Sequence, residues 1–130
     1  ALIVTLSLHP GAAAPAAASA ATDAQRIAYL QGLGYEVQPT GEVREVLIPA
    51  EFDESFAAYN ALQQEAGMDL SPCRGKRVKC WTYTVTNYPG DDTVQAHLYV
   101  YRDPVVGGDI ASTRQDGVRQ GLRPMTPTTP

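Results

Sequence analysis

The chain has 130 residues, of which 44% are hydrophobic, and its 10 basic and 14 acidic side chains give a formal net charge of −4. This length is typical of one domain. The negative charge argues against nonspecific nucleic-acid binding, which needs a basic surface that displaces counterions. We therefore expect a single small domain with no nucleic-acid partner.

The N-terminal part of the chain differs in composition from the rest. Residues 1–22 contain no Lys, Arg, Asp or Glu and begin with the apolar run LIVTLSL at 2–8, which is too short to span a bilayer. Ala18-Ser19-Ala20 has the small-x-small form of a signal-peptidase site. We interpret residues 1–22 as the remnant of a truncated signal or membrane anchor followed by an alanine-rich linker. The alternative is a linker with a chance apolar start.

The signal or anchor interpretation predicts a protein outside the cytoplasm, either secreted or anchored to the outer face of the cell membrane. Residues 123–130 are rich in Pro and Thr, a composition typical of a disordered tail. The single folded domain is therefore predicted over 23–122.

Caps and apolar spacing predict two helices. Thr22 and Gln25 form a capping box, and Gly34 stands where a helix commonly ends. A second apolar stripe at helical spacing is predicted to face the core; it consists of Phe52, Phe56, Tyr59, Leu62 and Ala66. Alternation of apolar and polar residues predicts the strands. In chain order, the elements are a helix over 23–33, strands over 35–38 and 43–48, a helix over 51–66, strands over 76–88, 94–101 and 105–112, and a helical turn within 116–122.

This order, α-β-β-α-β-β-β, predicts an α+β fold. We expect an antiparallel sheet of about four to five strands with two helices packed on one face. The last strand, VVGGDIAS at 105–112, contains two adjacent glycines. Gly108 would leave room for a helix to press on the sheet, and Gly107 would permit a bulge or clear space on the outer face.

An aromatic row is the best candidate for a binding surface. His97, Tyr99 and Tyr101 alternate with aliphatic residues along one strand. If the helices cover the aliphatic face, this row points outward, and Asp109 joins its rim provided that no bulge changes the register. Exposed aromatic rows suit a sugar or a protein partner. The alternative is a set of cross-strand pairs that only stabilises the sheet.

Two further groups of residues have open interpretations. A basic run is either a solvated strand start or a patch for phosphate, anionic lipid or cell-wall polymer; it consists of Arg74, Lys76, Arg77 and Lys79. Cys73 and Cys80 form either a disulfide, which requires the chain to bend around Gly75, or two separate thiols. Their spacing does not match a zinc motif.

The sequence contains no recognisable catalytic, nucleotide-binding or metal-binding motif, so we predict no catalytic residue, metal or cofactor. Acidic residues in the C-terminal half lie at irregular spacing, which is typical of turns rather than of a calcium site. A nucleophile–base pair of Cys80 and His97 stays open as an alternative.

Several segments resemble a family of small uncharacterised Firmicutes proteins, a domain of unknown function that usually follows an N-terminal signal or membrane anchor. The segments are IAYLQGLGYEV at 27–37, IPAEFD at 48–53, YNALQ at 59–63, GKRV at 75–78, NYPG at 87–90, GGD at 107–109 and DG at 116–117. The resemblance covers roughly residues 23–122. It implies an α+β domain outside the cytoplasm and assigns no activity. Cys73 and Cys80 depart from the family pattern, so a bridge between them would be particular to this chain.

Together these observations predict a non-enzymatic, extracytoplasmic binding module of the bacterial envelope. Its partner would be a protein or cell-wall component held on an exposed sheet face, with the membrane contacted only through the N-terminal segment. The alternatives are an envelope-associated protease inhibitor or regulator, and a small hydrolase that uses Cys80 and His97.

Overall fold

The computed structural model describes residues 19–125. These residues form one five-stranded antiparallel sheet in the order β1-β2-β3-β4-β5, together with two α-helices and a short 3-10 helix. The elements in chain order are α1 (Asp23–Gly32), β1 (Glu42–Leu47), α2 (Glu54–Glu65), the 3-10 helix (Ser71–Cys73), β2 (Arg77–Thr84), β3 (Val94–Val100), β4 (Val105–Ser112) and β5 (Arg119–Gln120). The α+β class and the antiparallel sheet are thus as predicted from the sequence. The apolar run at 2–8 and the end of the Pro/Thr tail lie outside the described residues.

Both helices begin where side chains cap them. The predicted capping box is present at α1, where the Thr22 hydroxyl accepts from the Gln25 N–H and the Gln25 side chain accepts from the Thr22 N–H. Helix α2 starts three residues later than predicted because Asp53 is its N-cap, with a carboxylate that accepts from the Phe56 N–H at 2.8 Å.

Two of the predicted elements are wrong. The segment 35–38 is not a strand, since it makes a single bridge, between Val37 and Val85, beyond the end of β2. The segment 116–122 is not helical, because its central residues turn back as β5 and pair with β4. The observed order is therefore α-β-α-β-β-β-β. The number of strands is five, but the fifth is β5, which pairs with β4, and not the predicted strand at 35–38.

The two helices lie on opposite faces of the sheet, which corrects the prediction that they share one face. Leu30 of α1 belongs to the core cluster that contains Ala96 and Leu98 of β3. The Tyr59 hydroxyl of α2 contacts the Tyr99 hydroxyl, which points to the other side of the same strand. The sheet is therefore a middle layer, and each of its faces is covered by one helix.

The larger core lies on the face covered by α1, and residues before this helix contribute to it. Ala20 is fully buried, its N–H donates to the Asp103 carbonyl at 2.8 Å, and Ser19 forms a bridge with Pro104. At the other end, the Met125 N–H donates to the Leu33 carbonyl. Residues on both sides of the range 23–122 therefore make backbone hydrogen bonds to the folded unit. Among the described residues, no helix combines the length and the apolar character needed to cross a membrane.

Strand β4 contains a bulge next to its glycine pair. Tyr99 pairs with Gly107, but the next residue, Val100, pairs with Val105, so Val106 is the extra residue. As a result Val105 packs into the core under α1, while Val106 packs on the side of α2. The bulge precedes Asp109, which pairs directly with His97 and therefore keeps the register of the aromatic row.

Candidate functional site

The residues of the aromatic row do not face open solvent, because α2 packs on their side of the sheet. His97, Tyr99 and Tyr101 are each half-buried. Tyr59 of α2 meets Tyr99 edge-on, with ring centroids 6.3 Å apart. The expectation of an outward-facing aromatic row is therefore corrected, because α2 covers most of this surface.

A chain of polar side chains crosses this interface. Nδ1 of His97 lies 2.7 Å from Oδ1 of Asp109, and the Tyr59 hydroxyl donates to Oδ2 of the same carboxylate. The hydroxyls of Tyr59 and Tyr99 are 3.0 Å apart. A carboxylate only accepts hydrogen bonds, so the Tyr59 proton and the proton on Nδ1 of His97 both point at Asp109. The Tyr99 hydroxyl is then free to donate to Tyr59.

Burial and the nearby carboxylate keep these phenols protonated. Burial raises the pKa of Tyr59 far above its ordinary value, and the charge of Asp109 adds to this effect. Burial likewise raises the pKa of Tyr99 to about 12. Both tyrosines are therefore hydrogen-bond donors at every physiological pH, and the Tyr59 hydroxyl helps to hold Asp109 in one orientation.

A cavity opens beside the His97–Asp109 pair. Its volume is about 190 Å³, and its walls are Tyr59, Leu62, His97, Asp109, Ala111 and Arg119. The side chains of His97 and Asp109 are 20% and 14% exposed. Arg119 is exposed, and within residues 19–125 it makes no salt bridge. The cavity thus combines an apolar wall, an oriented imidazole and a cation without a protein counter-ion.

Two polar residues of α2 hold the helix against the sheet. Oε1 of Gln63, which is fully buried, accepts from the Gly108 N–H at 2.8 Å. Asn60 accepts from the Leu70 N–H and donates to Asp69, which fixes the loop after the helix. Gln63 thereby satisfies the Gly108 N–H, since a buried backbone N–H needs a partner.

The predicted basic patch is divided between the two faces of the sheet. Lys76 lies over the Tyr101 ring and Arg74 over the Phe52 ring, both on the side of α2. Arg77 and Lys79 point to the opposite side, because side chains alternate along β2. The four basic residues therefore do not form one surface.

Cys73 and Cys80 are both buried and unpaired. Burial raises the pKa of each thiol, which disfavours the reactive thiolate. Of the two interpretations left open by the sequence, the structure therefore contains separate thiols.

Sequence reasoning located His97 and Asp109 but missed the residues that complete the site. Tyr59 was assigned to an apolar stripe, although its hydroxyl contacts Asp109. Gln63 and Arg119 were not singled out, because a polar residue carries no periodic signal of burial. The glycine pair did signal a close approach: a Cβ at Gly107 would lie 2.8 Å from Leu70 and 3.0 Å from Gln63. Helix α2 approaches on the Gly107 side, whereas a helix is predicted on the Gly108 side, which is approached instead by Leu122 and by the His97 carbonyl.

The fold and this site define a small α+β domain whose antiparallel sheet lies between two helices and carries a His–Asp pair at the mouth of a cavity. The chain belongs to the family described as "Domain of unknown function (DUF4830)", whose model matches residues 29–110, more than half of the chain. The match confirms the resemblance to such a family, and the Firmicutes range of its members stays a prediction. The matched range includes His97 and Asp109 and ends before Arg119. No curated protein and no solved structure matches the chain.

Proposed function

We propose that the protein is a non-enzymatic binding module that acts outside the cytoplasm at the bacterial envelope and holds its partner in the cavity between α2 and β4. The observation that supports this proposal is the convergence of Arg119 and the oriented His97 on one cavity of about 190 Å³. This volume suits a terminal residue of a peptide rather than a large cofactor. The partner is therefore a protein or a cell-wall component with an accessible peptide end.

The donors and acceptors of the site suit a carboxylate with a neighbouring N–H. Arg119 has a planar guanidinium that can bind a carboxylate through two hydrogen bonds. In a neutral His97 ring whose Nδ1 bears the proton directed at Asp109, Nε2 is an acceptor. A peptide end offers both complementary groups, since its carboxylate accepts from Arg119 and its last amide N–H donates to His97.

The packing of Ala20 favours an N-terminal anchor over a cleaved signal. Cleavage after Ala20 would remove a fully buried residue whose carbonyl accepts from Arg26 at 2.7 Å and whose N–H donates to Asp103. It would also leave a charged amino group beside the core, which is costly. We therefore propose that the segment before Ser19 stays attached and tethers the domain.

The hydrolase alternative has little support in the geometry. Cys80 is fully buried, and burial raises its pKa. The bond from Nδ1 to Asp109 leaves Nε2 of His97 available, as in a catalytic triad, but no hydrogen bond within residues 19–125 joins this imidazole to the Cys80 thiol. Nothing among the described residues therefore activates this thiol as a nucleophile.

Titration with short peptides tests the proposed binding. We expect N-acetyl-Ala-Ala with a free carboxylate to shift the amide resonances of residues around His97 and Arg119, whereas its C-terminal amide should not. The L,L and D,D forms distinguish a protein chain end from a cell-wall peptide. Substitution Arg119→Gln should weaken binding at least about tenfold, because a charge-assisted hydrogen bond contributes about 1.5–3 kcal/mol.

Arg123→Gln is the matched control, since Arg123 is also exposed but lies outside the cavity. It should bind like the wild type. Equal binding of acid and amide, or equal loss in both arginine variants, would contradict the proposal.

A further inference from the structure

Two aliphatic side chains line the cavity between α2 and β4 together with its polar groups. Leu62 comes from α2 and Ala111 from β4, and the other lining residues all end in a polar group. Both aliphatic side chains are half-buried, so part of each surface is open to the cavity. A ligand residue that reaches both His97 and Arg119 therefore also contacts Leu62 and Ala111.

The register of the sheet places Ala111 between the two polar groups of the site. Ala111 pairs directly with Arg119 of β5, and paired residues have Cβ atoms about 4.5–5.5 Å apart. Asp109, which pairs with His97 of β3, lies two residues from Ala111 along β4 and shares its face of the sheet. The methyl group of Ala111 is therefore the floor under a ligand residue that His97 and Arg119 hold.

The helix wall of the cavity is fixed in position, because α2 is held to the sheet at Leu62 and at the next residue. A Cβ at Gly121 would lie 2.4 Å from the Leu62 carbonyl oxygen, so the helix backbone packs directly against the chain that follows β5. Gln63 is fully buried and accepts from the Gly108 N–H at 2.8 Å. The width of the cavity is therefore set by the fold and does not adapt to the ligand.

We propose that Leu62 and Ala111 select the last side chain of the bound peptide, so that the cavity accepts a chain end with a terminal alanine and rejects one with a larger terminal residue. This selection rests on the proposed function, since it requires a peptide end in the cavity. The volume of about 190 Å³ supports it, because pockets that hold drug-sized ligands measure roughly 300–1,000 Å³. The carboxylate and backbone of the terminal residue fill part of this space and leave room for a methyl group, not for an aromatic ring.

The polar residues of the site do not distinguish one terminal side chain from another. Arg119 and His97 would bind the carboxylate and the amide N–H, which every peptide end carries. Tyr59 and Asp109 are bonded to each other. Discrimination between terminal side chains is therefore left to the two aliphatic walls. A side chain too large for a fixed cavity forces strained rotamers or backbone shifts, which weakens binding.

NMR titration of the full chain with N-acetyl-Ala-Ala and N-acetyl-Ala-Phe, both as free acids, tests the selection. We expect the alanine peptide to bind at least about tenfold more tightly. Leu62→Ala widens the cavity and should reduce this preference at least about fivefold. Leu33→Ala is the matched control, because it truncates a half-buried leucine on the side of α1, and it should keep the preference. The preference is a ratio of two affinities of one variant, so a loss of stability does not change it.

Ala111→Val narrows the same cavity from the sheet side, with a residue that is well suited to a strand. It should weaken binding of N-acetyl-Ala-Ala at least about tenfold while the circular dichroism spectrum stays that of the wild type. Equal affinities of the wild type for the two peptides would overturn the size selection and leave the proposed function in place. If neither peptide bound, both would be overturned. A Leu62→Ala variant that retained the full preference would also overturn the selection.

Discussion

Arg26 is the residue through which the N-terminal segment, α1 and β2 are joined. Its side chain is 4% exposed. The guanidinium donates to the Tyr83 hydroxyl at 2.9 Å and to the Ala20 carbonyl at 2.7 Å, and it lies 3.6 Å from the centre of the Trp81 ring. Asp23 supplies the negative charge that compensates it. A buried arginine is tolerated here because each of its faces has a partner.

Substitution Arg26→Met tests this role at the scale of one residue. Methionine keeps much of the apolar volume but leaves the Ala20 carbonyl and the Tyr83 hydroxyl without this donor. We expect the free energy of unfolding to fall by about 2–3 kcal/mol, since unsatisfied buried polar groups cost about 1–3 kcal/mol each. Urea denaturation measures the loss. Arg123→Met, at an exposed arginine, should change stability by less than about 0.5 kcal/mol. A similarly small change in Arg26→Met would contradict the role assigned to the buried guanidinium.

At the scale of elements, the two adjacent glycines of β4 make two different kinds of close contact. A Cβ at Gly108 would lie 2.1 Å from the backbone carbonyl oxygen of His97, and this residue has a φ of 157°. A Cβ at Gly107 would meet the ends of the Leu70 and Gln63 side chains. The first contact is with backbone of the neighbouring strand, which cannot move without breaking the sheet. The second is with side chains that can change rotamer.

We therefore expect Gly108→Ala to destabilise the protein much more than Gly107→Ala. The first should cost about 3 kcal/mol or more and the second about 1–2 kcal/mol, which is within the range for overpacking. Thermal unfolding monitored by circular dichroism measures both. Equal losses in the two variants would show that the backbone contact at Gly108 relaxes, and would contradict this explanation.

The helices and strands also show which features of the fold local sequence patterns predict. The strand at 105–112 was predicted with its observed bounds, and the capping box of α1 is present, because both signals are local. The face on which α2 packs was not predictable in this way. It depends on contacts between residues far apart in sequence, such as the bond from Gly108 to Gln63. The segment 116–122, predicted to contain a helical turn, contains the two-residue strand β5 because β4 supplies hydrogen bonds that local propensity ignores.

For the candidate site, the row of His97, Tyr99 and Tyr101 was found from alternation alone, as was Asp109 at its rim. The cavity was not, because it is formed by Tyr59 on one side and Arg119 on the other, and neither position is marked by spacing. A pattern identifies which residues share a face, whereas the packing of distant elements decides what covers that face.

At the scale of the whole molecule, Asp91 links strands at the end of the sheet that lies opposite the β3–β4 turn. Its carboxylate accepts from the Ser112 hydroxyl at 2.6 Å and from the Thr93 hydroxyl and N–H at 2.7 and 2.9 Å. These hydrogen bonds, that of Ser112 first, lower the pKa of Asp91 from 3.8 to about 2. The hairpin between β2 and β3 is thereby attached to the end of β4.

This lowered pKa predicts the acid sensitivity of the fold. Because the pKa of Asp91 in the folded state lies below its value of 3.8 in the unfolded chain, the stabilisation is complete above about pH 4. It is lost as the pH falls from about 4 towards 2. We expect Asp91→Asn to lower Tm at pH 6 and to make Tm less dependent on pH between 4 and 2. Scanning calorimetry across this range measures both effects.

Asp92→Asn is the neighbouring control, since Asp92 is exposed. Its pH profile should follow that of the wild type. If Asp91→Asn instead retained the full pH dependence of the wild type, another carboxyl group would be responsible for the acid sensitivity.

The bulge in β4 has a consequence for changes in chain length. Because Val106 is surplus to the pairing, a chain without it could keep Val105 opposite Val100 and Gly107 opposite Tyr99. Asp109 would then still meet His97. No extra residue lies beyond Asp109 in β4. The deletion of one residue there would move Ser112 away from Asp91 and break their hydrogen bond. The strand can thus be shortened at its start, before the site, but its far end has a fixed length.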